Sequence, residues 1–204
     1  REKIPKVTII TGDILKLYSG LITNYQLQTT RFKVVANIPY YLTSRLVRLL
    51  LENESRPELI VLTVQKEVAQ KMAANPPKMN LLALSVQVFG KPKVIKTVPA
   101  QCFSPKPRVD SAVIRISDVS DDFFTKNSLD MGLFFTVARR AFSQKRKALS
   151  SSLRPYLAKR SAFNRRRPQE LNPEQWIKIV SELSPASRSL NQVDSLALLK
   201  TPRF

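Results

Sequence analysis

Lys33-Val34-Val35-Ala36-Asn37-Ile38-Pro39-Tyr40-Tyr41 is the stretch on which the reading of this chain turns. Val34, Val35 and Ala36 form a short apolar run of the kind that becomes a buried strand, and Pro39 ends it by removing a ladder donor. Next come a carboxamide (Asn37), a main-chain carbonyl (Ile38), a proline (Pro39) and an aromatic ring (Tyr40). A strand ending in that order presents two acceptor oxygens and a flat π-surface toward one point. Those groups hold an exocyclic amine and stack the ring that carries it. The plain alternative for Tyr40 is a strand-end ring with its hydroxyl in water, and Asn37 and Pro39 beside it weigh against that.

Outward from this corner the chain alternates strand and helix. Val7–Ile10 reads as a buried strand ending in the turn Gly12-Asp13, with Asp13 able to cap a helix begun by Ile14 and Leu15. Thr43 is expected to cap a helix carrying Leu46, Val47, Leu49 and Leu50. Leu59–Val64 is another apolar strand, Gln65–Met72 a helix, and Leu81–Val88 leans helical by its spacing. Val94–Val98 and Ala112–Ile116 read as hairpin partners. The alternation predicts a mostly parallel, helix-covered α/β sheet, which binds ligands at the carboxyl ends of its strands, where Asp13 and Asn37 fall.

Composition narrows the partners. Lys and Arg total 34 against 15 Asp and Glu, a net charge of +19, which fits a polyanion, nucleic acid before acidic membrane. There is no His and only one Cys, so His-based triads and His or thiolate metal sites are excluded and no metal is expected. No apolar run approaches the roughly 18 residues of a membrane span. A cytoplasmic monomer is expected. The four glycines form no G-x-G pair, although a nucleotide-binding α/β domain normally opens on a Gly-rich turn. That predicts a fragment lacking its first strands and cofactor loop, with weak cofactor binding of its own.

Between the last two strands lies Gln101-Cys102-Phe103-Ser104-Pro105-Lys106-Pro107-Arg108-Val109-Asp110-Ser111. Its prolines stiffen the connection, so Phe103 is held in place on a rigid polar loop instead of lying within an apolar run. Residues 118–127 turn polar and acidic and read as a linker between residues 1–117 and a basic helical part, residues 128–204. That part holds 15 Lys/Arg against 5 Asp/Glu. Leu133, Phe134, Val137, Ala141, Ala148 and Leu149 recur at helical spacing, with Arg139, Arg140, Arg146 and Lys147 on the far face and Lys145 near the apolar stripe. Arg165-Arg166-Arg167 follows, then a helix capped by Asn172 with Pro173 in its first position. The clustered cations are expected to meet phosphates.

Asn37-Ile38-Pro39-Tyr40 resembles the (N/D)-x-P-(Y/F) signature of S-adenosylmethionine-dependent amino-methyltransferases. With Gly12-Asp13, Gln65-Lys66-Glu67-Val68-Ala69, the F-x-P-x-P-x-V-D-S run from Phe103 and Phe142-Ser143-Gln144-Lys145-Arg146-Lys147, the chain resembles the rRNA adenine N6,N6-dimethyltransferases of the KsgA type. The resemblance implies a Rossmann-like methyltransferase sheet, S-adenosylmethionine as donor, and dimethylation of two adjacent adenosines near the 3′ end of small-subunit rRNA. It also implies that Asn37, Ile38, Pro39, Tyr40 and Phe103 form the base pocket, with Tyr40 and Phe103 as opposite walls. Asp13, with Ile14 and Asn37, would contact the cofactor. The RNA contacts would come from Arg139, Arg140, Arg146, Lys147, Arg165, Arg166 and Arg167. The chain departs from the pattern at Pro76-Pro77-Lys78-Met79-Asn80, where many relatives carry glycine, and in lacking the glycine-rich loop and acidic ribose-binding residue.

The chemistry suits a chain without histidine. The adenine amine is a poor nucleophile because its lone pair is delocalised into the ring. Two acceptors that draw its hydrogens out of plane localise that lone pair, so orientation and polar preorganisation carry the catalysis. Competing expectations are the erythromycin-resistance type acting on large-subunit rRNA, and a non-catalytic RNA-binding assembly factor of the same fold.

Overall fold

The computed structural model describes residues 7–153 and 161–183. In chain order the elements are α1 (Ile14–Asn24), β1 (Lys33–Asn37), a 3-10 turn (Tyr40–Leu42), α2 (Thr43–Glu52), β2 (Leu59–Gln65), α3 (Lys66–Met72), α4 (Leu81–Gln87) and β3 (Lys91–Val98). A second 3-10 turn (Ala100–Cys102), β4 (Ser111–Ser117), α5 (Asp122–Thr125), α6 (Met131–Ser143), α7 (Leu149–Ser152), a third 3-10 turn (Pro168–Glu170) and α8 (Pro173–Ser181) follow.

The strands form one sheet in the order β1-β2-β4-β3. β1 and β2 run parallel, whereas β4 runs antiparallel to both of its neighbours. The expectation of a mostly parallel sheet therefore needs correcting for the described strands. Alternation of strand and helix reports crossovers, and the β3–β4 hairpin places an antiparallel strand between two that point the same way.

One face of the sheet carries the core. Ile60, Leu62 and Val64 of β2 and Ala112, Ile114 and Ile116 of β4 are fully buried, paired as Ile60 with Ile116, Leu62 with Ile114 and Val64 with Ala112. Val35, on the opposite face of β1, is 77% exposed. Val7–Ile10 is not a strand: it has no ladder partner among the described residues, and Val7, Ile9 and Ile10 are exposed. An apolar β-branched run has strand propensity, but a neighbouring edge is what makes it a strand.

Two helix expectations also change. Thr43 is the first residue of α2 and not its cap; Leu42 holds the cap position without a side-chain bond. The chain enters α2 from the 3-10 turn already in helical geometry, so the Thr43 side chain points inward, where its hydroxyl is buried without a partner among the described residues. The helical spacing from Leu133 to Leu149 does not make one helix. α6 stops at Ser143, residues 144–147 turn, closed by a Lys147 N–H to Gln144 carbonyl bond of 2.8 Å, and α7 restarts at Leu149. Lys145, Arg146 and Lys147 therefore stand exposed on a turn and not along a helix face.

Residues 118–127 contain α5, and Phe124 is buried against Phe89 (5.4 Å between ring centroids) and Phe134 (5.4 Å). These rings continue through Phe134 and Phe142 to the fully buried Trp176 of α8. The core therefore runs unbroken from the sheet into the helices beyond the acidic stretch. The cap of α8 is as expected, with the Asn172 side chain accepting from Gln175 N–H at 2.9 Å and Pro173 at the first helical position.

Candidate active site

Three elements converge at the end of the sheet where β1 and β2 finish. β1 ends on Asn37; Ile38 and Pro39 follow, and the 3-10 turn starts at Tyr40. Tyr40 is half-buried and its hydroxyl shares a 2.7 Å hydrogen bond with the hydroxyl of Ser111, the fully buried first residue of β4. Its ring is thereby fixed from across the sheet. The hydroxyl is not left to water, as the plain alternative supposed.

The loop before β4 is fixed by Asp110. One carboxylate oxygen accepts from Ala100 N–H at 3.1 Å, the other lies 3.7 Å from the Lys66 ammonium, and the Asp110 carbonyl accepts from Lys66 N–H at 2.9 Å. Held at that base, the loop carries Phe103 half-buried and outside the hydrophobic core, with extended backbone.

Asn37, Ile38, Pro39, Tyr40 and Phe103 line one cleft of ≈ 330 Å³ together with Pro105 and Pro107. The five expected pocket residues, 66 positions apart at their extremes, thus meet around a single space. Sequence reasoning passed over Pro105, Pro107 and Ser111 as site residues. All three lie within the Phe103–Ser111 motif, whose spacing carries the signal.

Of the expected cofactor contacts, Asn37 belongs to that lining, and Asp13 and Ile14 do not. Asp13 caps α1, one carboxylate oxygen accepting from Leu15 N–H at 2.9 Å, while its other oxygen has no partner among the described residues. The turn before it requires glycine: Gly12 has φ +156°, and a Cβ there would sit 2.6 Å from Leu17 Cδ1. Ile14 is half-buried against the core, and Asn37 is exposed at its strand end.

The expected RNA contacts lie on the helical part. Arg139 donates to Thr136 Oγ1 at 3.4 Å, and Arg140 Nε donates to the Ser152 carbonyl at 3.2 Å, tying α6 to α7. Arg165, Arg166 and Arg167 are exposed. Backbone bonds from Leu149 N–H to the Arg166 carbonyl (2.9 Å) and Ser150 N–H to the Asn164 carbonyl (3.1 Å) bring this triplet alongside the start of α7, just past Lys145–Lys147. Two basic clusters that the sequence separates are adjacent in the fold. Among the described residues no group of three His, Cys, Asp or Glu could hold a metal ion, and no helix is long and apolar enough to cross a membrane.

A family model described as ribosomal RNA adenine dimethylase matches residues 1–184. The chain is 38% identical over 187 residues to ribosomal RNA small subunit methyltransferase A of Dehalococcoides mccartyi (84% of this chain, 61% of the relative). It is 34% identical over 213 residues to the protein of that name from Synechococcus sp. (95% and 71%). The chain spans 61–63% of the length of the Dehalococcoides relatives. Among solved structures, a dimethyladenosine transferase from Plasmodium falciparum is similar with a TM-score of 0.62 at 21% identity, covering 72% of this chain and 65% of that one. The 23S rRNA methyltransferase ErmE follows with a TM-score of 0.59 at 19% identity, covering 86% and 80%. At those identities the two structures speak for the α/β methyltransferase fold alone.

Proposed function

The chain belongs to the ribosomal RNA adenine dimethylase family, and from that premise we propose that its Asn37–Phe103 cleft takes up adenosines extruded from small-subunit rRNA and methylates their N6 amines. The substrate is two adjacent adenosines near the 3′ end of that RNA, each dimethylated during assembly of the subunit. The observation that carries this reading is the convergence of Asn37, Ile38, Pro39, Tyr40 and Phe103 on one cleft.

Within the cleft the Asn37 carboxamide oxygen and the Ile38 or Pro39 carbonyl accept the two amine hydrogens. The nitrogen pyramidalises and its lone pair points away from the ring. No side chain needs to remove a proton before attack, because the proton becomes acidic only once the nitrogen is alkylated. Tyr40 and Phe103 stack on the two faces of the base. Extruding the base costs a few kcal/mol, and stacking returns about 1–3 kcal/mol per face, so the aromatic pair balances the extrusion.

S-adenosylmethionine supplies, when bound, an electrophilic methyl group on a positively charged sulfur. The residues present fit part of it: the unpartnered oxygen of Asp13 suits an adenine amino group, half-buried Ile14 an apolar ring face, and Asn37 borders the reacting centre. The exposed cations of residues 145–147 and 165–167 would dock the RNA around the cleft, with Arg139 and Arg140 behind them. In this reading residues 1–117 carry the chemistry, residues 128–204 the docking surface, and residues 118–127 the joint between them. Such a protein works in the compartment where small subunits assemble.

The test is methyl transfer from radiolabelled S-adenosylmethionine by the intact gene product, to immature small subunits and to naked large-subunit RNA. Labelling of adenosine in the small subunits is expected. Asn37→Ala should lower turnover by about 100-fold or more, the scale of removing one preorganised polar group, while RNA affinity stays near wild type. Labelling confined to large-subunit RNA, or equal loss of RNA binding and turnover in Asn37→Ala, would overturn the reading.

A further inference from the structure

The sheet face opposite the core carries a row of cations that neither the cleft nor the helical part accounts for. In the β3–β4 ladder Lys93 lies directly opposite Arg115, Lys91 opposite Ser117 and Lys96 opposite Val113. Residues paired across a ladder share a face, and Ala112, Ile114 and Ile116 hold the core face, so these three lysines and Arg115 all stand on the other one. Strict alternation along β3 would send Lys96 to the core side if Lys93 points outward. The register shift between Val94 and Lys96 prevents this: it inserts Ile95 as an extra residue and returns Lys96 to the outer face.

Two features mark the row as more than a solvated surface. Lys93 and Arg115 are like charges placed directly opposite each other, an arrangement that destabilises a ladder. Among the described residues no carboxylate pairs with Lys93, Lys96 or Arg115, whereas Lys91 at the foot of the row is held by Asp118 at 2.9 Å. All three unpaired cations are exposed. The row also has a direction. Two residues beyond Lys96, Val98 pairs with Ser111, the residue whose hydroxyl holds Tyr40 at the cleft.

We propose that Lys93, Lys96 and Arg115 form a phosphate-binding track that holds the RNA backbone leading away from the extruded nucleotide along β3. This rests on the reading of the substrate as RNA. The occupant is a phosphodiester chain because a line of unpaired cations running to a base cleft matches a line of phosphates, and the net charge of +19 favours a polyanion. An acidic protein segment would need no link to the cleft.

The test measures binding of an RNA hairpin with two adjacent loop adenosines, by fluorescence anisotropy over a series of KCl concentrations, alongside thermal unfolding. Lys93→Glu should leave the melting temperature unchanged or raised, because it turns the Lys93–Arg115 repulsion into an attraction. It should weaken RNA binding several-fold at low salt and lower the slope of log affinity against log salt by about 1. Lys93→Arg should keep wild-type slope, and Lys126→Glu, an equal charge change outside the row, should move it less. Unchanged slope in Lys93→Glu, or an equal change in Lys126→Glu, would overturn the track. If Asn37→Ala still abolishes methyl transfer in that case, the base cleft stands without it; if wild type transfers no methyl to RNA, the substrate reading itself falls.

Discussion

At the scale of single residues, hydroxyl groups reveal what holds the site. Ser111 is fully buried, and its bond to Tyr40, which lines the cleft, spans 71 positions of sequence. A bond of that kind is worth only about 1 kcal/mol net; its effect is to fix the direction of the Tyr40 ring, which in the proposed reaction stacks on the base. Tyr18 shows the opposite use of a phenol. It is 4% exposed, donates to the Ser55 carbonyl at 3.0 Å, and its pKa is pushed up to about 12 by burial, against a smaller opposing pull from Arg56. The folded protein therefore keeps a proton that the unfolded chain begins to release near pH 10. Stability from this group is complete below pH 10 and declines as pH rises toward 12. Urea midpoints measured from pH 9 to 12 should fall more steeply for wild type than for Tyr18→Phe; parallel curves would refute the assignment.

At the scale of elements, α6 and α8 hold the helical part to the sheet through aromatic rings. Trp176 is fully buried, its ring 5.7 Å from Phe142 and 6.5 Å from Phe134, while its indole N–H has no hydrogen-bond partner among the described residues. Trp176→Ala should cost about 3–5 kcal/mol, as for other large aromatic truncations in a core. Trp176→Phe should cost much less, because it removes an unsatisfied buried donor along with part of the ring. Denaturant midpoints of the two variants check this, and equal losses would mean that the N–H finds a partner. The same packing explains why residues 118–127 are more than a tether: two phenylalanines in an acidic stretch anchor it to Phe89 and Phe134.

At the scale of the whole molecule, the positive charge is distributed by the fold. Lys145–Lys147 sits on a turn, Arg165–Arg167 is drawn beside it by backbone bonds to α7, and the β3–β4 row lies on the sheet. Replacing Arg165, Arg166 and Arg167 together by Gln should weaken RNA binding by an order of magnitude or more near 0.1 M salt. It should lower the salt slope by about 2–3, one unit or slightly less for each phosphate no longer neutralised. Turnover on saturating RNA should stay near wild type, since no arginine of the triplet lines the cleft. A fall in turnover with affinity intact would place the triplet's role elsewhere.

Local chemistry was readable without coordinates. Apolar runs bounded by breakers located the four strands of the described residues, the Asn-Pro pair located α8, and Asn37 to Tyr40 with Phe103 named five residues that line one cleft. Each of those depends on neighbours close in sequence or on a motif that carries its own geometry. Tertiary structure alone decided the rest. Val7–Ile10 has strand propensity and no partner edge among the described residues, Thr43 has a capping side chain and an entry turn that aims it inward, and the helical spacing after Ser143 is interrupted by a turn. Ser111 under Tyr40, the pairing of Lys93 with Arg115 and the meeting of two basic clusters all join distant segments. A side chain's own pattern fixes its local conformation, but which surface it meets depends on ladder register and packing, and those exist only once the whole chain has folded.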